Sequence, residues 1–323
     1  VIGAYRSEEA DVMAALRYSL TRLGILSEMK LTGLDVASVQ LLVRHLTLPP
    51  RVQGGKDGDA FAARLQEATG GNPFFLLETL KALLETGRLS ESLHDAEDLP
   101  LPDTVREAVE ARLRRLSPKA RQILEAGAVL GLTFDLDRVR LTAGRQELEA
   151  MDGLDELVAR QLLSEEMTTY RFLHELTQRA VEASLSPMRR RLLHRRAGRA
   201  LEQLAPDQTA AIAHHFEAGG EAKLALHYHH LAEQQAETMF AWQEAATHQD
   251  RMLALLDQID PDRSDRDCLA QRGHVLVARA HLRFLQGRLA ERDADLSALA
   301  ALAEAADDDR LRLLLAAQQI RYL

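Results

Sequence analysis

Apolar residues recur every three or four positions along most of the chain, which is the spacing of one face of an α-helix. A clear example is the stripe Met151, Leu154, Leu157 and Val158 within residues 146–161. The pattern therefore predicts a mainly α protein. The expected helices span 10–23, 35–46, 59–69, 73–86, 104–116, 119–130, 146–161, 189–204, 222–240, 242–256, 268–286, 288–306 and 311–323.

Two short segments break this helical pattern. Residues 162–164 and 169–172 suit extended strands on either side of a polar turn. They follow three predicted helices, and this order is typical of a winged helix. The polar stretch 88–102 is bounded by proline and predicts a linker before this unit.

Beyond residue 187 only helices are expected, arranged as serial pairs. Small residues at the crossings allow close approach, and Ala245 of one pair is answered by Ala290 of the next, about 45 positions further on. Serial helix pairs of this kind predict a tetratricopeptide-like (TPR-like) solenoid, although the spacing is longer than the usual 34 residues.

The composition strengthens the helical prediction and limits the environment. Leu and Ala supply 58 and 49 residues, against 14 Val and 6 Ile. The single Cys268 cannot form an internal disulfide, which fits a reducing cytoplasm, and no apolar run is long enough to span a membrane. A net charge of −9 argues against non-specific nucleic-acid binding by the whole surface.

Both termini suggest an interior piece of a longer protein. Residues 1–5 are predicted to form an apolar strand that would need neighbours upstream. The helix predicted over 311–323 stops in mid-pattern without a cap.

Motifs for catalysis are not recognisable. The closest approach to a phosphate-binding loop, Gly54-Gly55-Lys56-Asp57, lacks the spacing and hydroxyl of G-x-x-x-x-G-K-[ST] and is interpreted as a flexible connection. No Ser/His/Asp or Cys/His arrangement was found, and we expect no catalytic residues in this chain.

Histidine and arginine are locally enriched. His227 and His230 share a helical face, so a metal site is conceivable, but without a carboxylate at ligand spacing we expect packing histidines and no metal. A run of arginines on a helix beside a predicted winged helix favours nucleic-acid contact. The enriched positions are His214, His215, His227, His229 and His230, and Arg189, Arg190, Arg191, Arg195, Arg196 and Arg199.

A glycine turn precedes the helix predicted over 73–86. Gly70 and Gly71 permit close backbone approach, Asn72 can cap, and Pro73 suits the first helical position. Such a helix start could face an anion, or it could be a plain turn.

Several segments resemble a known family in the family's order. The stretch 69–78 (TGGNPFFLLE) is similar to the lid motif of bacterial signal-transduction ATPases with numerous domains, in the branch fused to LuxR-type regulators, activator domains or nucleotide cyclases. The order extends over about residues 1–255. Further similar segments are 1–9 (VIGAYRSEE), 99–105 (LPLPDTV), 116–121 (LSPKAR), 172–176 (FLHEL), 186–190 (SPMRR) and 193–197 (LHRRA).

The resemblance implies three nucleotide contacts. Arg6 would sense the γ-phosphate, and Pro73 on the turn formed by Gly71 and Asn72 would pack on adenine. His174 would hold the β-phosphate of ADP; Leu173 and Glu175 stand where the family has Met and Asp.

The resemblance also implies the domain organisation and function. Residues 1–102 would be the end of the ATPase core plus a helical lid, 103–186 a winged helix, and 187–323 TPR-like repeats. ATP or ADP with Mg²⁺ would bind the full-length protein, and this chain alone is expected neither to hydrolyse ATP nor to hold nucleotide tightly.

The expected partner is an inducer or protein on the repeats, with DNA bound only through a domain outside the chain and possible oligomerisation on activation. A stand-alone TPR-like interaction scaffold is the alternative, and direct DNA contact by the arginine-rich helix is a third hypothesis.

Overall fold

The chain is mainly α-helical and folds into two compact units, residues 1–190 and 191–323. The computed structural model describes residues 13–29, 31–45, 56–85 and 99–321. Within these residues, sixteen helices accompany one small sheet. The strand predicted over 1–5 and residues 46–55 and 86–98 lie outside the described residues.

The first unit begins with four helices, three of which build a common core. Val39 and Val43 of α2 pack with Phe61 and Leu65 of α3, and Leu80 of α4 completes the cluster. Burial of these side chains, at roughly 1.5–3 kcal/mol each, holds the turn between α3 and α4 in place. The helices are α1 (Ala14–Arg22), α2 (Val36–His45), α3 (Lys56–Thr69) and α4 (Pro73–Glu85).

The rest of the first unit combines helices with a three-stranded antiparallel sheet of order β1-β3-β2. Thr133 pairs with Arg171, and Leu163 with Phe172. The elements are α5 (Asp103–Leu113), α6 (Pro118–Leu130), β1 (Thr133–Asp135), α7 (Leu136–Ala143), α8 (Glu147–Ala159), β2 (Leu163–Glu166), β3 (Thr169–Phe172) and α9 (Glu175–Ala183).

Strand β1 and helix α7 were missed by the sequence pattern, so the predicted order of three helices followed directly by two strands was wrong. Both elements are short, and their signals are local. The Asp135 carboxylate accepts a hydrogen bond from the Arg138 amide at 2.7 Å, and Gly144 ends the helix with φ +69°. The stripe within α8 is also displaced, because Leu154 and Leu157 are buried whereas Met151 is 41% exposed.

The second unit is a TPR-like helical solenoid in which each helix from α11 onward packs against the next. Of the predicted small residues, Ala225, Ala232 and Ala245 are buried at these crossings, but Ala290, predicted as the counterpart of Ala245, is exposed. Neither α9 nor α11 was given bounds among the predicted helices. The elements are α10 (Pro187–Leu204, which begins in the first unit), α11 (Thr209–Gly219), α12 (Ala222–Thr238), α13 (Trp242–Ile259), α14 (Arg266–Leu285), α15 (Leu289–Ala305) and α16 (Asp309–Arg321).

None of the helices within the described residues is both long and apolar enough to cross a membrane.

Candidate functional site

The glycine turn between α3 and α4 is held by hydrogen bonds at both ends. The Gly71 amide donates to the Gln66 carbonyl at 3.2 Å, and the Asn72 side-chain oxygen accepts from the Phe74 amide at 3.0 Å. Gly70 and Gly71 have φ values of +59° and +70°, which favour glycine. This places Pro73 at the first position of α4.

Gly71 also packs tightly against the segment before α2. The Leu34 amide donates to the Gly71 carbonyl at 2.8 Å. A side chain at Gly71 would overlap the Leu34 backbone. Close approach of two backbones therefore requires this glycine, in addition to its positive φ.

His174 lies against the same turn from the other side. It follows strand β3 and is the N-cap of α9, and its carbonyl accepts a hydrogen bond from the Thr177 amide at 3.0 Å. A Cβ at Gly70 would overlap the His174 Nδ1 atom. The His174 ring also meets the Phe75 ring edge-on, with 5.6 Å between centroids.

The environment of His174 favours its neutral form. Its Nδ1 atom is buried and makes no well-formed hydrogen bond within the described residues. Burial is the main cause that lowers the pKa of His174, and the positive charge of Arg112 lowers the pKa further, while the Leu173 carbonyl opposes the shift. A neutral imidazole offers one N–H donor and one acceptor nitrogen.

The structure thus brings together four of the five residues predicted for nucleotide contact. Gly71, Asn72 and Pro73 form the turn, and His174 abuts it through Gly70. Arg6 lies outside the described residues. The double glycine predicted a close neighbour at Gly70, but sequence reasoning did not identify that neighbour as His174 and assigned no contact to Phe75.

The arginine-rich helix α10 makes several internal contacts. Arg189 Nε lies 2.5 Å from Glu125 Oε2, and Arg190 donates to the Glu182 carbonyl at 2.9 Å. Arg195 lies 3.6 Å from Glu221. These partners explain part of the arginine run as internal ion pairing and hydrogen bonding.

The Glu125 ion pairs line a cavity of about 320 Å³. Arg121 Nε donates to Glu125 Oε1 at 2.9 Å, so two guanidinium groups enclose this buried carboxylate. The cavity is polar and also contacts Ser184 and Ser186.

The histidines of the second unit are arranged differently from the prediction. His230 contacts Glu233 at 3.1 Å and Gln234 at 3.1 Å, and His227 is exposed beside Tyr228. The expectation that no carboxylate lies near the pair His227 and His230 was wrong for His230, which Glu233 contacts, whereas Glu217 of α11 contacts His229.

No protein-family profile and no curated protein matches this chain. Among solved structures, it is similar to a signal-transduction ATPase with numerous domains that has a tetratricopeptide repeat sensor, from Pyrococcus horikoshii. The identity is 13% and the TM-score 0.40. The match covers 92% of this chain and 45% of that one, so this chain spans less than half of its length.

Proposed function

We propose that this chain is the regulatory part of an ATP-dependent signal-transduction switch. The observation that carries the proposal is the contact between the glycine turn and His174. Residues drawn from distant parts of the sequence meet there in the combination that the family resemblance implies. The parent protein would be a transcriptional regulator of the LuxR-type or activator-domain branch.

The chemistry of the turn suits a nucleotide phosphate and base. The start of α4 carries the positive end of the helix dipole, which favours an anion, although Pro73 has no N–H and the Phe74 amide already donates to Asn72. His174 adds a nitrogen that can donate to a phosphate oxygen, and Pro73 offers an apolar ring for adenine. Mg²⁺ with ATP or ADP would bind the full-length protein, with Arg6 sensing the γ-phosphate.

The small sheet and its helices would act as a winged-helix domain that reports the nucleotide state. The order α6, β1, α7, α8, β2, β3 and the sheet order β1-β3-β2 support this assignment. In one state His174 would contact both ADP and the lid turn. Exchange for ATP would favour a second arrangement, because the two nucleotides bind the two states unequally.

The solenoid would receive an inducer or a protein partner. Repeats stacked in this manner form extended surfaces suited to binding. DNA would be bound by a domain outside this chain, and activation would lead to an oligomer.

The proposal is tested by titrating ADP with Mg²⁺ into the complete gene product and into this chain. We expect measurable affinity for the complete product, at least tenfold weaker in His174→Ala and unchanged in His274→Ala, which alters an exposed histidine of α14. The chain alone should bind weakly or not at all. Equal ADP affinity of the wild type and His174→Ala would contradict the assigned role of His174.

The alternative function is a TPR-like interaction scaffold without a nucleotide role. The compactness of the second unit, which has its own buried core, favours it. A complete gene product that lacks a phosphate-binding loop and any ADP affinity would establish this alternative.

A further inference from the structure

Three histidines of the second unit converge at one point. His194 projects from α10, and His214 and His215 from α11. One ring nitrogen from each lies within 4.8 Å of the other two. The chain brings them together although about 20 residues separate His194 from the other two.

Two of these histidines have ring nitrogens close to the spacing of two metal ligands. His194 and His215 are 4% and 6% exposed, and their Nδ1 atoms are 3.0 Å apart. Two nitrogens bound to one tetrahedral Zn²⁺ at about 2.1 Å are separated by about 3.4 Å, so this pair would need to open by only about 0.4 Å. In the metal-free pair, one Nδ1 must donate a proton to the other; a cation could accept the lone pairs of both.

The third histidine, His214, is exposed and gives a metal ion access to the site from solvent. The ring of His214 lies 5.8 Å from that of His194 and 5.4 Å from that of His215 between centroids. One of its nitrogens lies within 4.8 Å of a nitrogen of each buried histidine, and rotation of this exposed side chain would bring it closer to a shared ion. A fourth position facing solvent would then be available for water.

A neighbouring histidine group lacks this convergence. His229 contacts Glu217 through Nε2 at 3.0 Å and His248 through Nδ1 at 2.9 Å. Glu217 and His248 contact different nitrogens of the His229 ring. The three side chains therefore form a linear hydrogen-bonded series and do not converge on one ion. Only the His194 group therefore offers three ligands to a single ion among the described residues.

The donor set specifies the class of metal. Neutral imidazole nitrogens suit Zn²⁺, Cu²⁺, Ni²⁺ and Co²⁺, whereas Mg²⁺ and Ca²⁺ prefer oxygen. We infer that His194, His214 and His215 form a binding site for a divalent transition-metal ion, most suitably Zn²⁺. The bound ion would fasten α10 to α11.

The test uses untagged, chelator-treated protein and Zn²⁺ in isothermal titration calorimetry, with Co²⁺ absorption as the second readout. We expect one equivalent of Zn²⁺ per chain and the visible bands of nitrogen-coordinated Co²⁺. His214→Ala changes an exposed side chain and should lower Zn²⁺ affinity at least tenfold while the circular dichroism spectrum stays that of the wild type.

His227→Ala is the matched control, because His227 is also exposed but lies outside the group. This variant should bind Zn²⁺ like the wild type. The proposal is overturned if the wild type shows no saturable one-equivalent binding, if His214→Ala retains full affinity, or if His227→Ala weakens binding equally. His215→Gln, checked for folding by circular dichroism, should also lose the site.

Discussion

The Nδ1 atom of His174 lies so close to Gly70 that a Cβ at position 70 would overlap it. We expect Gly70→Ala to lower the free energy of unfolding by at least about 2 kcal/mol, because it adds this overlap to the strain of a positive φ. Urea denaturation of the purified chain measures the loss.

The comparison with Gly220→Ala separates the overlap with His174 from the strain of a positive φ. Gly220 has a similar φ of +78° but nothing within 4 Å of its Cβ position. Gly220→Ala should therefore lower the free energy of unfolding by only about 1 kcal/mol. Combining Gly70→Ala with His174→Ala removes the imidazole that the new methyl group would overlap. The double variant should therefore lose about 1 kcal/mol less of the free energy of unfolding than the two single variants lose together. Strict additivity would show that His174 does not constrain Gly70.

Stability should depend on pH through His174. Burial, with a contribution from Arg112, lowers the pKa of His174 below the ordinary value of 6.5. The unfolded chain therefore binds the proton more readily, so stability is fully present above pH 6.5 and is lost as the pH falls from there towards the folded pKa. Urea denaturation at pH 7.5 and pH 5.5 should show a lower free energy of unfolding at the acidic pH.

His174→Gln should reduce this difference between the two pH values. The pKa values of His229 and His248 are also lowered, chiefly by burial, so part of the pH dependence should persist in His174→Gln. If His174→Gln kept the full difference in the free energy of unfolding between pH 7.5 and pH 5.5, His174 would not contribute to the pH dependence.

Asp295 neutralises two arginines inside the solenoid. It is 2% exposed, and its carboxylate lies 2.6 Å from Arg279 and 2.7 Å from Arg283. Asp295→Asn should destabilise the second unit by about 2 kcal/mol, because two largely buried guanidinium groups lose their shared counter-charge while Arg279 keeps Asp250 and Arg283 keeps Glu291.

The control is Asp309→Asn, which removes an exposed pair with Arg312 at 2.7 Å. Pairs of this kind contribute little, so its effect should stay within about 0.5 kcal/mol. Thermal unfolding of both variants checks the contrast, and similar losses would argue against the buried network.

Ser117 caps helix α6. Its hydroxyl accepts a hydrogen bond from the Ala120 amide at 3.2 Å. Ser117→Ala should lower the free energy of unfolding, measured by urea denaturation, by about 1 kcal/mol.

The control is Ser297→Ala, which removes a hydroxyl inside an exposed helix. This hydroxyl donates to the Asp293 carbonyl at 2.8 Å, and its loss should change the free energy of unfolding by less than about 0.5 kcal/mol. Equal effects would refute the capping role.

Most helices could be predicted because their apolar spacing is sustained over several turns. The helix predicted over 73–86, for example, is observed as Pro73–Glu85. The three residues of β1 and the eight of α7 are too short for such periodicity. Their formation depends on pairing with β3 and on the caps at Asp135 and Gly144.

The amino-acid sequence by itself determined the helical character and the glycine turn, since spacing, proline and glycine act locally through backbone geometry. Only the tertiary structure decided that His174 lies against Gly70 and that His194 meets His214 and His215. These contacts join residues far apart in the chain, and their geometry depends on how whole helices pack, which no local pattern records.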